Sequence, residues 1–177
     1  MVTGAPAQHI APLDATRVEA VIAAVPDPEI PTVTIAQLGI LRSVTPVPGA
    51  DAVDVVITPT YSGCPAMSAI EQAVVHAAAA IGVTARVHLR LSPAWSTDWI
   101  TVDGRRALAA AGIAPPGPAP TPGHRAAVLL TLGERRVACP GCGSLDTEEV
   151  ARFGATACKA LRRCRACREP FEEFKSL

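Results

Sequence analysis

The sequence predicts the α/β (α+β) fold class: a small mixed sheet with helices packed on it, followed by a C-terminal zinc-ribbon domain. Segments with helical and strand periodicity alternate over the first part of the chain, and two cysteine pairs lie near its end. Between them, residues 114–124 form a proline-rich stretch typical of a stiff linker. We therefore expect an α/β domain at residues 15–113 and a zinc ribbon at residues 125–177.

The α/β domain is predicted to begin with a helix and a β-hairpin. Residues 15–25 place apolar side chains at helical spacing, and Pro26 would end that helix. Residues 40–47 and 52–58 favour strands, because apolar and polar side chains alternate along the second of them. The Pro-Val-Pro-Gly turn at residues 46–49 joins the two strands, which predicts an antiparallel pair.

Three further elements complete an α-β-β-α-β-α order. A second helix is predicted over residues 65–81, because apolar side chains recur on one face and a glycine follows. Residues 86–91 alternate again and predict a strand, with Leu89 and Leu91 on its apolar face. Residues 104–111 are predicted to form a short helix that closes the domain.

Two cysteine pairs with the spacing of metal knuckles predict a closed tetrahedral site, because each pair places two thiolates on one tight turn. Residues 128–132 and 157–163 favour short ribbon strands. A unit of only about 50 residues is too small for a self-sufficient core. Bound zinc is therefore expected to supply most of its folding free energy, on the order of 10 kcal/mol, although four thiolates also accept iron. The predicted ligands are Cys139, Cys142, Cys164 and Cys167.

The composition argues against several classes of partner. Basic and acidic residues balance, 16 against 16, so neither a nucleic acid nor an anionic membrane is an expected partner. Aromatic residues are only 3% of the chain, which argues against base stacking on single strands. No apolar run is long enough to span a bilayer, and residues 1–25 lack the pattern of a signal peptide. We therefore expect a cytoplasmic protein, whose cysteines serve metal or redox chemistry and not disulfides.

Cys64 is the candidate reactive residue. The order Gly-Cys-Pro around it is typical of a helix start, which would make Cys64 the N-cap residue. The free N–H groups of Ala66 and Met67, together with the helix dipole, would then favour a thiolate. Thr60 and Ser62 could donate hydrogen bonds to the sulfur. Such a thiolate would be a good nucleophile or a good soft-metal ligand.

Three interpretations of Cys64 stay open at this point. It could be a small buried residue at a helix start, the nucleophile of an enzyme, or a contact for iron. No histidine or aspartate stands close in sequence to act as its general base. One thiolate cannot hold an iron–sulfur cluster, which needs about four ligands. Iron binding therefore predicts a homodimer, a docked partner protein or a small thiol that supplies the other ligands.

Cys158 is a fifth cysteine in the predicted ribbon. It lies an even number of residues before Cys164, so the two would share one face of a continuous strand. It could be a spare ligand, a cargo thiolate or a small core residue. Trp95 and Trp99 could line a surface around Cys64 or cover the sheet.

Several segments together resemble a known family. In the first domain they occur in the order seen in iron–sulfur assembly accessory proteins: residues 27–31 (DPEIP), 37–42 (QLGILR), 58–65 (TPTYSGCP) and 92–99 (SPAWSTDW). In the ribbon they are residues 139–144 (CPGCGS), 152–161 (RFGATACKAL) and 164–171 (CRACREPF). With both parts fused, the chain resembles the PaaD family, accessory proteins of the phenylacetyl-CoA epoxidase, a multicomponent monooxygenase of phenylacetate degradation.

The resemblance implies a role outside catalysis: loading or maintaining the iron–sulfur cluster of the epoxidase reductase subunit, or of another Fe–S client. It implies that Cys64, the motif cysteine, contacts iron or the cluster, and that the ribbon docks the client. Asp27 and Glu29 lie in the acidic motif before the first strand and are candidate cofactor-binding residues. Thr60 and Ser62, beside Cys64, are candidates as well.

Two other classes of function remain as alternatives. One is a zinc-ribbon nucleic-acid-binding regulator, suggested by four arginines in the ribbon, although acidic residues nearly balance the basic ones there. The other is an enzyme that uses Cys64 as a nucleophile on an acyl or thioester substrate. The arginines are Arg162, Arg163, Arg165 and Arg168.

Overall fold

The computed structural model describes residues 14–118 and 136–176. The predicted strand at residues 128–132 and the linker residues 119–124 lie outside these ranges. Within the described ranges, no helix is long and apolar enough to cross a membrane.

The first half begins as predicted with a helix and a hairpin. Helix α1, Ala15–Ala23, starts at Asp14, whose carboxylate accepts a hydrogen bond from the Arg17 N–H at 3.1 Å. Strands β1, Leu41–Pro46, and β2, Ala52–Ile57, form the predicted antiparallel pair. The alternating pattern therefore located both strands to within one or two residues.

A crossover helix converts this hairpin into the predicted mixed sheet. Helix α2, Met67–Ala79, follows β2 and leads into strand β3, Thr84–Leu89. Strand β3 pairs with β2 in parallel, so the sheet order is β1-β2-β3. This is the small mixed sheet with helices on it that the sequence predicts.

The core lies between β2 and α2. Val53, Val55 and Ile57 of β2 are at most 2% exposed, and Ile70 and Val74 of α2 are fully buried. Burial of each such side chain contributes about 1.5–3 kcal/mol. This packing fixes the loop between β2 and α2, which carries Cys64, at one end of the sheet.

The prediction that one face of β3 is apolar and covered is only partly correct. Ala85 and Val87 are buried or partly buried, but Leu89 is 56% exposed and Leu91 is 53% exposed. Leu91 lies beyond the end of the strand. Among the described strands, β3 lies at the edge of its sheet with β2 as its neighbour, so its last residues receive less cover than the alternation suggests.

Helix α3, Val102–Ala110, follows a short 3₁₀ helix, Thr97–Trp99, and packs closely on the loop before β1. The Thr101 side chain caps α3 by accepting a hydrogen bond from the Gly104 N–H at 2.9 Å. A Cβ atom at Gly104 would lie 2.5 Å from the backbone oxygen of Gln37. This contact between two backbones leaves no room for a side chain.

A Gly104→Ala substitution is therefore expected to destabilise the protein, even though alanine favours helices more than glycine does. The overpacked contact should lower the free energy of unfolding by about 1–3 kcal/mol in urea titrations. Gly117→Ala is the matched control, since among residues 14–118 and 136–176 a Cβ there would meet no atom nearer than 3.8 Å. Equal stability of the two variants would contradict this account of the α3 contact.

The second sheet combines strands from both halves of the chain. Strands β5, Thr147–Ala151, β6, Lys159–Cys164, and β7, Pro170–Phe174, form the antiparallel ribbon. Strand β4, Ile113–Ala114, pairs with β7 in parallel, so the order is β4-β7-β6-β5. The predicted domain division at residues 113 and 114 stays a prediction, and the strand at that point joins the ribbon sheet.

Phe174 attaches the ribbon to the α/β half. Its ring is 1% exposed, belongs to the core cluster of the α/β half, and lies 5.9 Å from the ring of Trp95. Trp95 is itself buried and donates its indole N–H to the Leu38 carbonyl at 2.9 Å. The two halves therefore share apolar core, and not only a linker.

Candidate functional site

The four predicted ribbon cysteines converge on one point. Their sulfur atoms all lie within 4.8 Å of one another. The closest contacts between the pairs are 3.8 Å from Cys139 to Cys167 and 3.6 Å from Cys142 to Cys164. Four sulfurs at this separation form a metal site, and the chemistry of the donor set fits a tetrahedral thiophilic ion.

Each pair sits on a tight turn, as its spacing predicts. The Cys139 carbonyl accepts a hydrogen bond from the Gly143 N–H at 2.8 Å, and Gly143 has a φ of 74°. Arg168 occupies the corresponding place after the second pair, with a φ of 67°. A left-handed residue after each pair turns the chain back, so that both sulfurs of the pair point to the same side.

The electrostatics of this site require a cation. The backbone N–H of Cys167 is the main group that lowers the pKa of Cys164, to about 7. At Cys167 itself the Glu169 N–H favours the thiolate, but the Cys164 sulfur, desolvation and the other two sulfurs together raise the pKa to about 12. Four thiolates so close together repel one another, and a bound metal ion removes that repulsion.

Cys64 lies on the loop between β2 and α2, half-buried against the α/β core. The prediction that Cys64 is the helix N-cap is wrong, because α2 begins at Met67 and its N-cap residue is Ala66. One predicted contact is nevertheless present, since the Ala66 N–H donates to the Cys64 sulfur. The backbone therefore stabilises a thiolate with one hydrogen bond and not with a full helix N-terminus.

The surroundings raise the pKa of Cys64, contrary to the predicted lowering. Burial is the largest cause, and the nearby charges of Cys158, Asp27 and Glu29 raise it further against the effect of the Ala66 hydrogen bond. An isolated thiolate is thus disfavoured at this position. A cation that binds to the sulfur would reverse the balance.

Asp27 belongs to the surroundings of Cys64, and its carboxylate is held in place. It is 6% exposed and accepts hydrogen bonds from the N–H groups of Glu29 and Ile30, each at 2.9 Å. Burial raises the pKa of Asp27 more than these two bonds lower it. Glu29 is exposed and near enough for its charge to raise the pKa of Cys64. The predicted acidic motif thus lies beside Cys64.

Thr60 and Ser62 flank Cys64 on the same loop, the former buried and the latter exposed. Within the described part of the chain, neither side chain donates a hydrogen bond to the Cys64 sulfur, unlike the predicted arrangement. The Cys64 N–H donates to the Tyr61 carbonyl at 3.1 Å, which closes the turn that carries the sulfur. Their role as cofactor-binding residues stays a prediction.

Cys158, like Cys64, lies outside the four-sulfur group. It lies in the turn before β6, not on the strand, so the predicted common face with Cys164 is wrong. Its side chain packs against the α/β core, while Cys164 is buried in the ribbon's own cluster. No signal in the sequence places Cys158 on the α/β core, because only the docking of the two halves brings it there.

The tryptophans and arginines mostly serve structure. Trp95 is a core residue, and the Arg42 guanidinium lies 3.5 Å from the ring centroid of Trp99. Arg162 is 3% exposed and bonded to Glu173 at 3.0 Å, and Arg165 bonds to Glu148 at 2.9 Å. Two of the four ribbon arginines are therefore engaged with carboxylates, which weakens the case for a nucleic-acid surface.

Comparisons with known proteins agree with this architecture. Residues 15–89 match the family described as iron-sulfur cluster assembly protein, and residues 124–175 match the family described as PaaD zinc beta ribbon domain. A relative from Escherichia coli (strain K12) is named as one of the subunits of 1,2-phenylacetyl-CoA epoxidase. It is 43% identical over 169 residues, which cover 95% of this chain and 96% of the relative.

Two solved structures are also similar. A domain of unknown function from Bacillus anthracis is 26% identical, with a TM-score of 0.49, and the match covers 53% of this chain and 90% of that one. A Mycobacterium tuberculosis protein, described as associated with [Fe-S] complex assembly and repair, is 28% identical with a TM-score of 0.32, covering 62% and 96%. The two family matches and the full-length relative together show that the chain belongs to the PaaD family, in which an iron–sulfur cluster assembly domain is fused to a zinc β-ribbon.

Proposed function

We propose that this protein is a non-catalytic maturation factor for the iron–sulfur cluster of the phenylacetyl-CoA epoxidase complex, with the reductase subunit as its client. The observation that carries the proposal is the setting of Cys64. Its sulfur is half-buried, and the fixed buried carboxylate of Asp27 is near enough for its charge to raise the pKa of Cys64. The full-length relative of this chain is named as an epoxidase subunit. The loop that carries Cys64 lies within residues 15–89, the segment that matches the Fe–S assembly family.

Each part of the site has a distinct role in this proposal. Cys64 contacts iron or the cluster through its sulfur, while Asp27 and Glu29 supply negative charge that favours a cation. Thr60 and Ser62 shape the loop around the sulfur. The ribbon holds zinc as a structural ion and docks the client, and the cytoplasm, where thiols stay reduced, is the proposed compartment.

A Cys64→Ser variant tests this function. The apo reductase subunit is mixed with iron, sulfide and the variant, and cluster formation is followed by visible absorption. We expect the rate of client loading to fall at least about tenfold compared with the wild-type protein, since serine is a much poorer iron ligand. Zinc content should stay unchanged, because Cys64 is not a ribbon ligand.

Ser68→Ala is the matched control, since it removes an exposed hydroxyl in the first turn of α2, four residues from Cys64, and leaves the sulfur and its loop in place. It should load the client at close to the wild-type rate. If Cys64→Ser loads the client normally, the proposed role of Cys64 fails. Salt-dependent affinity for DNA or RNA would then favour the nucleic-acid regulator, and thioester turnover that requires Cys64 would favour an enzyme.

A further inference from the structure

Strand β3 leaves one side of its backbone open. The N–H groups of Thr84 and Arg90, at its two ends, donate to carbonyls of β2 and of the residue before it, so the even-numbered residues face β2. Backbone groups alternate between the two sides of a strand, so the N–H and C=O groups of Ala85, Val87 and Leu89 point away from β2. Among the described strands, β2 alone pairs with β3. An edge of this kind can accept a further strand.

The side chains at this edge are basic on one face of the sheet and apolar on the other. Arg86, His88 and Arg90 share one face, and all three are exposed. On the opposite face Val87 packs against the core that α2 covers, whereas Leu89 is 56% exposed. The apolar core therefore continues along β3 to the edge and ends there without full cover.

The two arginines of the basic face form no ion pair with any described residue. Asp54 lies opposite Arg86 in the sheet, but its carboxylate is bonded to the His88 ring at 3.0 Å. Arg86 and Arg90 are four residues apart on an extended strand, which separates their Cβ atoms by about 13 Å. Two carboxylates at the same spacing on a neighbouring strand would match both charges.

We propose that the open edge of β3 binds an extended acidic segment of a partner protein as an additional strand. Acidic side chains four residues apart in that segment lie opposite Arg86 and Arg90. Apolar side chains at the alternate positions between them cover Val87 and Leu89. Pairing of the two backbones supplies affinity, and the alternation of acidic and apolar side chains supplies specificity.

A second copy of this chain fits the edge poorly. Antiparallel pairing of two β3 strands about a two-fold axis keeps equivalent side chains on the same face. Pairing centred on His88 would place Arg86 of each copy opposite Arg90 of the other. Like charges directly opposite one another destabilise a pair of strands. The edge therefore favours an acidic partner over self-association.

Amide hydrogen exchange of the full-length, zinc-loaded protein tests whether the edge is open. In the free protein the amides of Ala85, Val87 and Leu89 should exchange fast, and those of Arg86 and His88, which face β2, should exchange slowly. Uniform protection along β3 overturns the inference, because the edge would then already be covered. Protection that increases with protein concentration overturns it too, since a second copy would then occupy the edge.

An NMR titration with a synthetic peptide tests the kind of partner. The probe alternates glutamate and valine and is about as long as β3. Its binding should change the chemical shifts of β3 most and slow the exchange of the three outward amides. The same peptide with lysine in place of glutamate should bind at least about tenfold more weakly at low salt. Absence of binding by the glutamate peptide, or shift changes in the ribbon and not in β3, overturns the inference.

Reversal of the charge at the edge gives a further test. The double variant Arg86→Glu, Arg90→Glu should prefer the lysine peptide to the glutamate peptide at least about tenfold. Both side chains are exposed, and thermal unfolding and zinc content show that the variant is folded. Arg17→Glu is the matched control, since it makes the same change at an exposed position in α1, and it should keep the wild-type preference. An unchanged preference in the double variant overturns the inference.

This inference goes beyond the proposed function, because no step of it involves Cys64. The Cys64→Ser variant should therefore bind the glutamate peptide with the wild-type Kd while its client loading falls. Normal client loading by that variant contradicts only the proposed function. Loss of peptide binding in the same variant contradicts the placement of the partner segment at the edge of β3.

Discussion

Removal of the ribbon metal is expected to unfold residues 136–176 and to produce the largest loss of stability. The Cys164→Ser substitution achieves this without a chelator, because Cys164 is fully buried at the centre of the four-sulfur group. Structural zinc contributes on the order of 10 kcal/mol to a unit of this kind, and the small cluster around Phe171 cannot replace it. Amide hydrogen exchange in β6 and β7 should therefore become fast.

Cys64→Ser is the matched control for this prediction. It makes the same change of a cysteine to a serine, at a half-buried position, but leaves the four ribbon ligands intact. Exchange in β6 and β7 should stay slow in that variant. Strand β2, whose core partners lie in α2, should remain protected in both proteins. Slow exchange in β6 and β7 after complete loss of the metal would contradict a metal-dependent ribbon fold.

Phe174→Ala is expected to have the second-largest effect, because this one ring is shared by both halves of the molecule. Truncation of a fully buried phenylalanine costs about 3–5 kcal/mol of unfolding free energy. The loss should be visible in guanidinium titrations followed by tryptophan fluorescence, since the ring lies 5.9 Å from that of Trp95. It should also slow client loading, because the ribbon is proposed to dock the client and Phe174 holds the ribbon on the α/β half.

Phe171→Ala separates the contact between the halves from general damage to the ribbon. Phe171 is also buried, but it packs with the metal-binding cysteines in the ribbon's own cluster. It should destabilise the ribbon and leave the environment of Trp95 largely unchanged. If both variants change Trp95 fluorescence and client loading equally, the ribbon is not docked through Phe174.

The hairpin, the crossover helix and the ribbon knuckles could be predicted because each follows from residues close together in sequence. Alternation located β1 and β2, and the cysteine spacing identified all four sulfurs of the metal site. The start of α2 was placed too early because a Gly-Cys-Pro sequence is compatible with either a helix start or a preceding turn. That small shift removes Cys64 from the N-cap, and burial of its side chain raises its pKa where the sequence predicts a lowering.

The sequence predicts which segments form strands better than it predicts which side chains of those strands are buried. Leu89 and Leu91 follow the apolar alternation but lie at a sheet edge, whereas Arg162 and Lys159 are buried with carboxylate partners. Whether a side chain is covered depends on which element packs above it. The covering element is often far away in sequence, and the alternation of apolar residues along one strand does not identify it.

The sequence by itself determined the family, the mixed α/β fold class and the four sulfurs of the ribbon, since those depend on local spacing and on recognisable segments. Only the tertiary structure decided that β4 of the first half pairs with β7 of the second, and that Cys158 packs against the α/β core. The physical reason is that apolar burial is not directional. Phe174 could have been covered by many surfaces, and the fit against Trp95 selects the one that packs the ribbon on the α/β core.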